Sequence, residues 1–252
     1  MPFTWRLEKR FASLHVKGTP LILYNAWDAG SANAILDAGA KAIATSSWSV
    51  AEAQGYRDGE FIPLAFVEQI VGRIASAINA PLTVDFEGGY SEDDAVLADN
   101  VARLLDLGVI GINVEDRVVH GDGLYTAYRQ SKRIRAIREA ATKKGVDLFI
   151  NARTDTFFAE GNPADFMEGA LERAKAYTEA GASGFFVPGL TDDALIEKIC
   201  ASTPLPVNVM VMDGLSPTKR LAKLGVSRVS YGPIPYADAM KTLKTQAAAA
   251  MQ

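Results

Sequence analysis

Four times along the chain a glycine ends a helical stretch and an apolar run follows at once: DAGAKAIA at Gly39, DLGVIGIN at Gly108, EAGASGFF at Gly181 and KLGVSRVS at Gly225. Glycine takes the left-handed conformation that stops a helix without steric cost, and the residues after it begin a strand. Counting about 30–40 residues per β/α unit, these glycines lie roughly two, two and one units apart. Short apolar or β-branched runs recur at the matching places: LILYNA (21–26), AIATSS (42–47), PLTVDFE (81–87), GINVED (111–116), LFINART (148–154), GFFVPG (184–189), PVNVMV (206–211) and RVSYGP (228–233). Helical patterns alternate with them. Ser91 is the expected cap of EDDAVLADNVARLLDLG, Asn162-Pro163 opens a helix toward Gly181, and Ser216-Pro217 opens one ending at Gly225. Eight units of one design predict an α/β architecture, a closed (β/α)8 TIM barrel forming a single domain over residues 1–252. A doubly wound open sheet is the structural alternative, but no G-x-G-x-x-G turn follows the first strand.

Composition narrows the function classes. Hydrophobic residues make up 48% and charged residues 22% of 252, which is the balance of a soluble globular chain. The net charge of -4 and the lack of a basic stripe argue against nucleic acid as a partner. No apolar run approaches membrane-spanning length, and the amino terminus is charged throughout, so no membrane association and a cytoplasmic location are expected. Cys200 is the one cysteine, which rules out an internal disulfide and a cysteine-built zinc site. Its helical phase predicts a buried core thiol. The alanine-rich tail KTQAAAAMQ is read as helical, exposed or packed on a neighbouring subunit.

The acids and other polar groups fall at one end of the predicted strands. TVDFEGGY places Asp85 and Glu87 two residues apart at the end of the third run, so strand alternation projects both to the same side. Such a pair is commonly a solvated strand end, since like charges this close raise each other's pKa unless something compensates. Here Glu115 and Asp116 end the fourth run, Arg153 and Asp155 the fifth, and Ser46 and Ser47 the second. Catalytic groups of a (β/α)8 barrel sit at these carboxyl ends. Converging carboxylates suit a hard divalent cation, magnesium or manganese. Arg153 is placed to grip a substrate carboxylate in bidentate fashion, with an internal salt bridge to Glu115 or Asp155 as the alternative. Ser46 and Ser47 fit either a helix cap or, with their backbone N–H groups, an oxyanion or carboxylate site. Asp58, in GYRDGE, is the next candidate acid or else a turn aspartate, and Tyr24 and Asn208 are further candidates for substrate contact. His15 is expected to be structural, and neither it nor His120 has metal-ligand spacing to another histidine.

Together ATSSWSVAEAQGYRDGE, VDFEGGY, GVIGINVEDR and FINARTD resemble the isocitrate lyase/phosphoenolpyruvate mutase superfamily, in family order from about Asn25 to Tyr231. The resemblance implies a (β/α)8 barrel that uses Mg²⁺ or Mn²⁺ to hold a small 2-oxo acid and its enolate. It implies Asp85 as direct metal ligand, Glu87 and Glu115 as water-mediated or outer ligands, and Asp58 as the loop acid near the metal. Ser46 with the Ser47 backbone would be the carboxylate-binding corner and Arg153 the substrate-gripping arginine. A homotetramer or homodimer is also implied. Three features depart from the family pattern: Glu87 stands where aspartate is usual, Ser91 follows Tyr90 where a second glycine is usual, and the loop DRVVHGDGLYTAYRQSKR has neither the Lys-Lys-Cys-Gly-His of the lyase branch nor the asparagine and lysine of the mutase branch. This loop, about 117–133, is expected to form a lid.

The leading expectation is a carbon–carbon lyase acting on a small 2-oxo or 2-hydroxy dicarboxylate through an enolate, with oxaloacetate decarboxylation the simplest case. Decarboxylation needs no protein nucleophile and so tolerates the loss of both specialised loops. The alternatives are phosphonopyruvate hydrolase or phosphoenolpyruvate mutase-like chemistry, in which His120 would meet the phosphoryl group, a methylisocitrate lyase-like enzyme, and a non-catalytic binder of 2-oxo acids.

Overall fold

The computed structural model describes residues 2–252, with side chains from residue 7 onward. Each helix-stop glycine does what its position requires. After helix α5 (Asp94–Asp106), Gly108 at φ +90° donates to Leu105 O and Val109 donates to Leu104 O, the paired bonds of a left-handed helix stop. Gly39, Gly181 and Gly225 repeat the positive φ, and Gly145 adds a fifth instance that ends α6 (Ala127–Lys143).

The strands are β1 (Leu21–Leu23), β2 (Asn25–Ala26), β3 (Ile43–Thr45), β4 (Leu82–Asp85), β5 (Gly111–Glu115), β6 (Phe149–Arg153), β7 (Gly184–Phe186), β8 (Val207–Met210) and β9 (Arg228–Ser230). All pairings are parallel, in the order β1-β9-β8-β7-β6-β5-β4-β3-β2. The predicted first strand is split at Tyr24: its first half pairs with β9 and its second with β3. One run thus joins both ends of the sheet, and the nine segments form the expected (β/α)8 barrel of a single domain.

Between the strands run α2 (Ala29–Asp37), α3 (Ser47–Ala53), α4 (Leu64–Ala77), α5, α6, α7 (Met167–Glu179), α8 (Asp193–Ser202) and α9 (Thr218–Lys223), flanked by α1 (Pro2–Ser13) and α10 (Ile234–Ala250). Outward strand residues such as Val84, Ile112, Ile150 and Val209 share one apolar cluster with helix residues Ile74, Leu104, Ile137 and Ile199. A second cluster joins Phe11 of α1 to the inward residues Leu21, Leu23, Ala44 and Phe149, so that α1 closes the amino-terminal mouth. His15 belongs to this plug, stacked on Phe149 at 4.0 Å and bonded through Nδ1 to Phe11 O. The polar groups are left to the opposite mouth.

Two expectations are corrected in detail. Asp93, not Ser91, caps α5, because its Oδ1 accepts from both Ala95 and Val96 N–H groups, while Ser91 Oγ accepts from Asp93 N. The loop after β5 ends sooner than residue 133, since Thr126 caps α6 and residues 127–133 are helical. Residues 117–124 fold back as a small hairpin with an Arg117–Leu124 bridge and a Val118 N to Gly123 O bond. The tail is helical as expected, and in α10 the one buried residue is Pro235. Among the described residues no helix is long and apolar enough to cross a membrane.

Candidate active site

Asp85 is the last residue of β4, and its neighbours on both sides donate to it. Ser47 offers its Oγ at 3.0 Å and its backbone N–H at 3.3 Å to Oδ2, and Asn113 Nδ2 reaches Oδ1 at 3.2 Å. Strand pairing explains the last contact, because Asp85 and Asn113 are register partners on the inner face. Ser46 caps α3, accepting from Ser49 N at 3.3 Å, so the cap reading of this serine holds geometrically.

Glu87 lies beyond the end of β4, so strand alternation does not place it; its backbone does. It adopts φ +50°, and its buried carboxylate accepts the Glu60 N–H at 2.8 Å. The non-glycine residues with positive φ are Glu60, Glu87 and Tyr90, all at this rim. Each such conformation costs about 1–3 kcal/mol, a cost that functional sites characteristically carry. Burial and then the charges of Asp58, Asp85 and Glu115 push the Glu87 carboxyl up to about 9. Asp58 is exposed to solvent at the rim, yet the protein packed around it and then Asp85 raise its pKa, against a hydrogen bond from Ser47. Glu115, the last residue of β5, is pushed up to about 8 by burial despite the attraction of Arg153. For Arg153 burial is the largest influence and disfavours its charge, but Glu115 and Asp155 outweigh it and hold the guanidinium firmly protonated.

The structure therefore brings Ser46, Ser47, Asp58, Asp85, Glu87, Glu115 and Arg153 to one mouth. Two other residues go elsewhere. Asp116 faces outward, accepting from Tyr177 Oη at 2.8 Å and Arg173 Nη1 at 2.9 Å, and anchors α7. Tyr24 is a correction to the expected substrate contacts: its ring lies 5.0 Å from that of Tyr231 in a tilted pair, and it lines a groove outside the barrel with Ile22, Ile35 and Leu243. The alternation of buried Leu21, Leu23 and Asn25 with exposed Ile22 and Tyr24 explains this placement. Asn208 points into the barrel and bonds Ser230 at 3.2 Å.

Beneath the rim is a polar layer that the motifs did not mark. Arg228 is fully buried, crosses the barrel to Asn113 Oδ1 at 3.2 Å, and leaves Nη1 without a partner. Asn151 also donates to Asn113 Oδ1, at 2.9 Å. The signal was parity, since Arg228 and Ser230 occupy one strand face. Cys200 is buried as expected, its Cβ 3.3 Å from where a side chain on Gly225 would begin, and Gly225 precedes β9 at the opposite end of the barrel.

The carboxylates outnumber the cations here, and their oxygen donors suit a hard cation. Among the described residues, no three His, Cys, Asp or Glu side chains form a ready-made cage. The arrangement fits an ion that keeps much of its water, as magnesium does, and not a fully protein-ligated one.

Known proteins share this sequence pattern and fold. The family model described as phosphoenolpyruvate phosphomutase matches residues 11–251. An uncharacterized protein of Mycobacterium tuberculosis is 35% identical over 226 residues, covering 90% of this chain and 83% of its own. The 2-methylisocitrate lyase of Escherichia coli is 29% identical, over 79% of this chain and 68% of its own. A crystal structure of a Burkholderia cenocepacia protein, described as a candidate phosphonomutase, superposes with a TM-score of 0.93 at 47% identity, covering 98% of this chain and 100% of that one. Oxaloacetate acetylhydrolase bound to oxalate shares the fold, with a TM-score of 0.84 at 20% identity over 94% and 84% of the two chains. The chain belongs to the phosphoenolpyruvate phosphomutase family, within the isocitrate lyase/phosphoenolpyruvate mutase superfamily.

Proposed function

We propose that the protein is a magnesium- or manganese-dependent carbon–carbon lyase acting on a small 2-oxo dicarboxylate, in the simplest case an oxaloacetate decarboxylase. The observation that carries this reading is the cluster of Asp58, Asp85, Glu87 and Glu115 beside Arg153, with the thiol of Cys200 at the other end of the barrel. A bound divalent ion would polarise the 2-oxo oxygen. Asp85 would hold that ion directly, and Glu87 and Glu115 would hold its water. Ser46 and the Ser47 backbone would meet one substrate carboxylate and Arg153 the other. The bond from C3 to the departing carboxylate breaks, its electron pair forms the enolate of pyruvate, and a proton then adds at C3. Asp58, whose proton affinity is raised, stands near as an acid for that step. Asn208, which points into the barrel and is held by Ser230, would contact the substrate from the floor.

The reading includes a cytoplasmic location and a homodimer or homotetramer, to which the sparsely buried α10 would contribute. A second reading, phosphorus–carbon chemistry, is favoured by the 47% identical candidate phosphonomutase. Pyruvate release from oxaloacetate and phosphate release from phosphonopyruvate, each with and without Mg²⁺, decide between them. Methylisocitrate as a third substrate tests the remaining lyase chemistry. Metal-dependent binding of oxalate with no turnover of any substrate would mean a non-catalytic binder.

A further inference from the structure

Glu60, in the loop between α3 and α4, joins three loops around Glu87. Its backbone N–H donates to Glu87 Oε2 at 2.8 Å, and its own Oε1 accepts the Tyr90 N–H at 2.7 Å. Its Oε2 lies 3.5 Å from His120 Nε2 on the hairpin after β5. The carboxylate is 6% exposed, while His120 is 58% exposed. A left-handed φ of 60° would suit glycine better, yet a glutamate stands there with both backbone and side chain engaged.

The neighbouring backbone is arranged for the same contact. A Cβ on Gly88 would lie 2.7 Å from Val119 Cγ2 and 3.1 Å from Glu60 Oε1, so only glycine lets the hairpin and Glu60 approach together. Buried Arg133 holds this segment from behind, donating to the carbonyls of Gly88 and Ser91. Between the loops remains a cavity of about 130 Å³ lined by Glu60, Tyr90, Glu92, Arg117, His120 and Tyr125.

We propose that Glu60 is a positioning residue for the reaction: it fixes the carboxylate of Glu87 at the cation site and links that carboxylate to the 117–124 hairpin. The inference rests on the reading of Glu87 as an outer ligand. Residues that orient ligands typically change metal affinity about 10–100-fold when lost. Glu60→Gly keeps the backbone N–H and suits the left-handed φ, while removing the carboxylate that holds Tyr90. Glu60→Gln restores an acceptor for Tyr90.

The test titrates Mn²⁺ alone into the full chain by calorimetry and follows amide exchange at Tyr90. Glu60→Gly is expected to weaken Mn²⁺ binding about tenfold and to accelerate Tyr90 exchange, with the circular dichroism spectrum unchanged. Glu60→Gln should recover both. Wild-type affinity for Mn²⁺ in Glu60→Gly would overturn the inference alone. Absence of Mn²⁺ binding in the wild-type protein would overturn the site reading and the inference with it. Weakened binding that Glu60→Gln fails to recover would mean that the acceptor at Tyr90 is not what positions Glu87, and would also overturn it.

Discussion

Arg153 and Asp155 form a bidentate pair within one strand exit: Nε donates to Oδ1 at 2.6 Å and Nη2 to Oδ2 at 2.9 Å. Nη1 adds a contact to Glu115 at 3.0 Å. The Asp155 N–H donates to Asp116 Oδ1 at 3.0 Å, and Asp116 is fixed by Arg173 and Tyr177. The internal salt bridge that the sequence left open is therefore present. The guanidinium is held by its side edge and by Glu115, which leaves one N–H on each terminal nitrogen outside these contacts.

This geometry makes Arg153→Lys a severe change. Lysine cannot reproduce the planar fork, and losing a charge-assisted contact costs about 1.5–3 kcal/mol. Steady-state kinetics should show kcat/KM lower by at least about tenfold, since 1.4 kcal/mol is a factor of ten. Unchanged kinetic constants would remove Arg153 from the site.

Chelation should abolish turnover, and Mg²⁺ or Mn²⁺ should restore it. The metal should also raise the melting temperature, because a ligand at 100 times its Kd stabilises the folded state by about 2.7 kcal/mol. Asp85→Ala should lose both effects. Full metal-dependent turnover in that variant would show that the ion sits elsewhere.

The Cys200 thiol is buried, and burial pushes its pKa up to about 11, so little thiolate exists at neutral pH. Alkylating reagents under native conditions should leave turnover intact. Prompt inactivation would point to a thiol-dependent lyase. In the same preparations, Mg²⁺ with oxalate should protect the 117–124 hairpin from trypsin at Arg117, and identical cleavage with and without ligand would dismiss the lid.

His15 is the clearest source of acid sensitivity outside the site. Burial, followed by repulsion from Arg228, lowers its pKa from 6.5 to about 3. A folded-state value below the unfolded one means that the unfolded chain binds the proton first. The stability contributed by neutral His15 is present above pH 6.5 and is lost as pH falls toward 3, by at most about 1.4 kcal/mol per pH unit. Phenylalanine preserves the stack on Phe149. Denaturant titrations of His15→Phe should therefore show a shallower decline over that window than the wild-type protein, and equal slopes would refute the assignment.

The local chemistry of the chain was enough to specify the barrel. Glycine stops at Gly39, Gly108, Gly181 and Gly225 act within a few residues of themselves, and eight apolar runs alternating with helical patterns leave few topologies to choose from. Strand alternation also keeps Asn113 with Glu115, and Asn151 with Arg153, on shared strand faces. Parity failed where the strand stopped. Glu87 reaches the rim through a left-handed backbone stabilised by Glu60, 27 positions earlier, and Asp116 turns outward to a partner pair 57 and 61 positions away. Tyr24, by contrast, leaves the site through the strand's own alternation with Leu23 and Asn25. Arg228 meets Asn113 across 115 positions of chain. Sequence periodicity carries the direction of a side chain only as far as its own strand extends; which loops meet above the barrel, and which charges share one mouth, are decided by closure of the sheet.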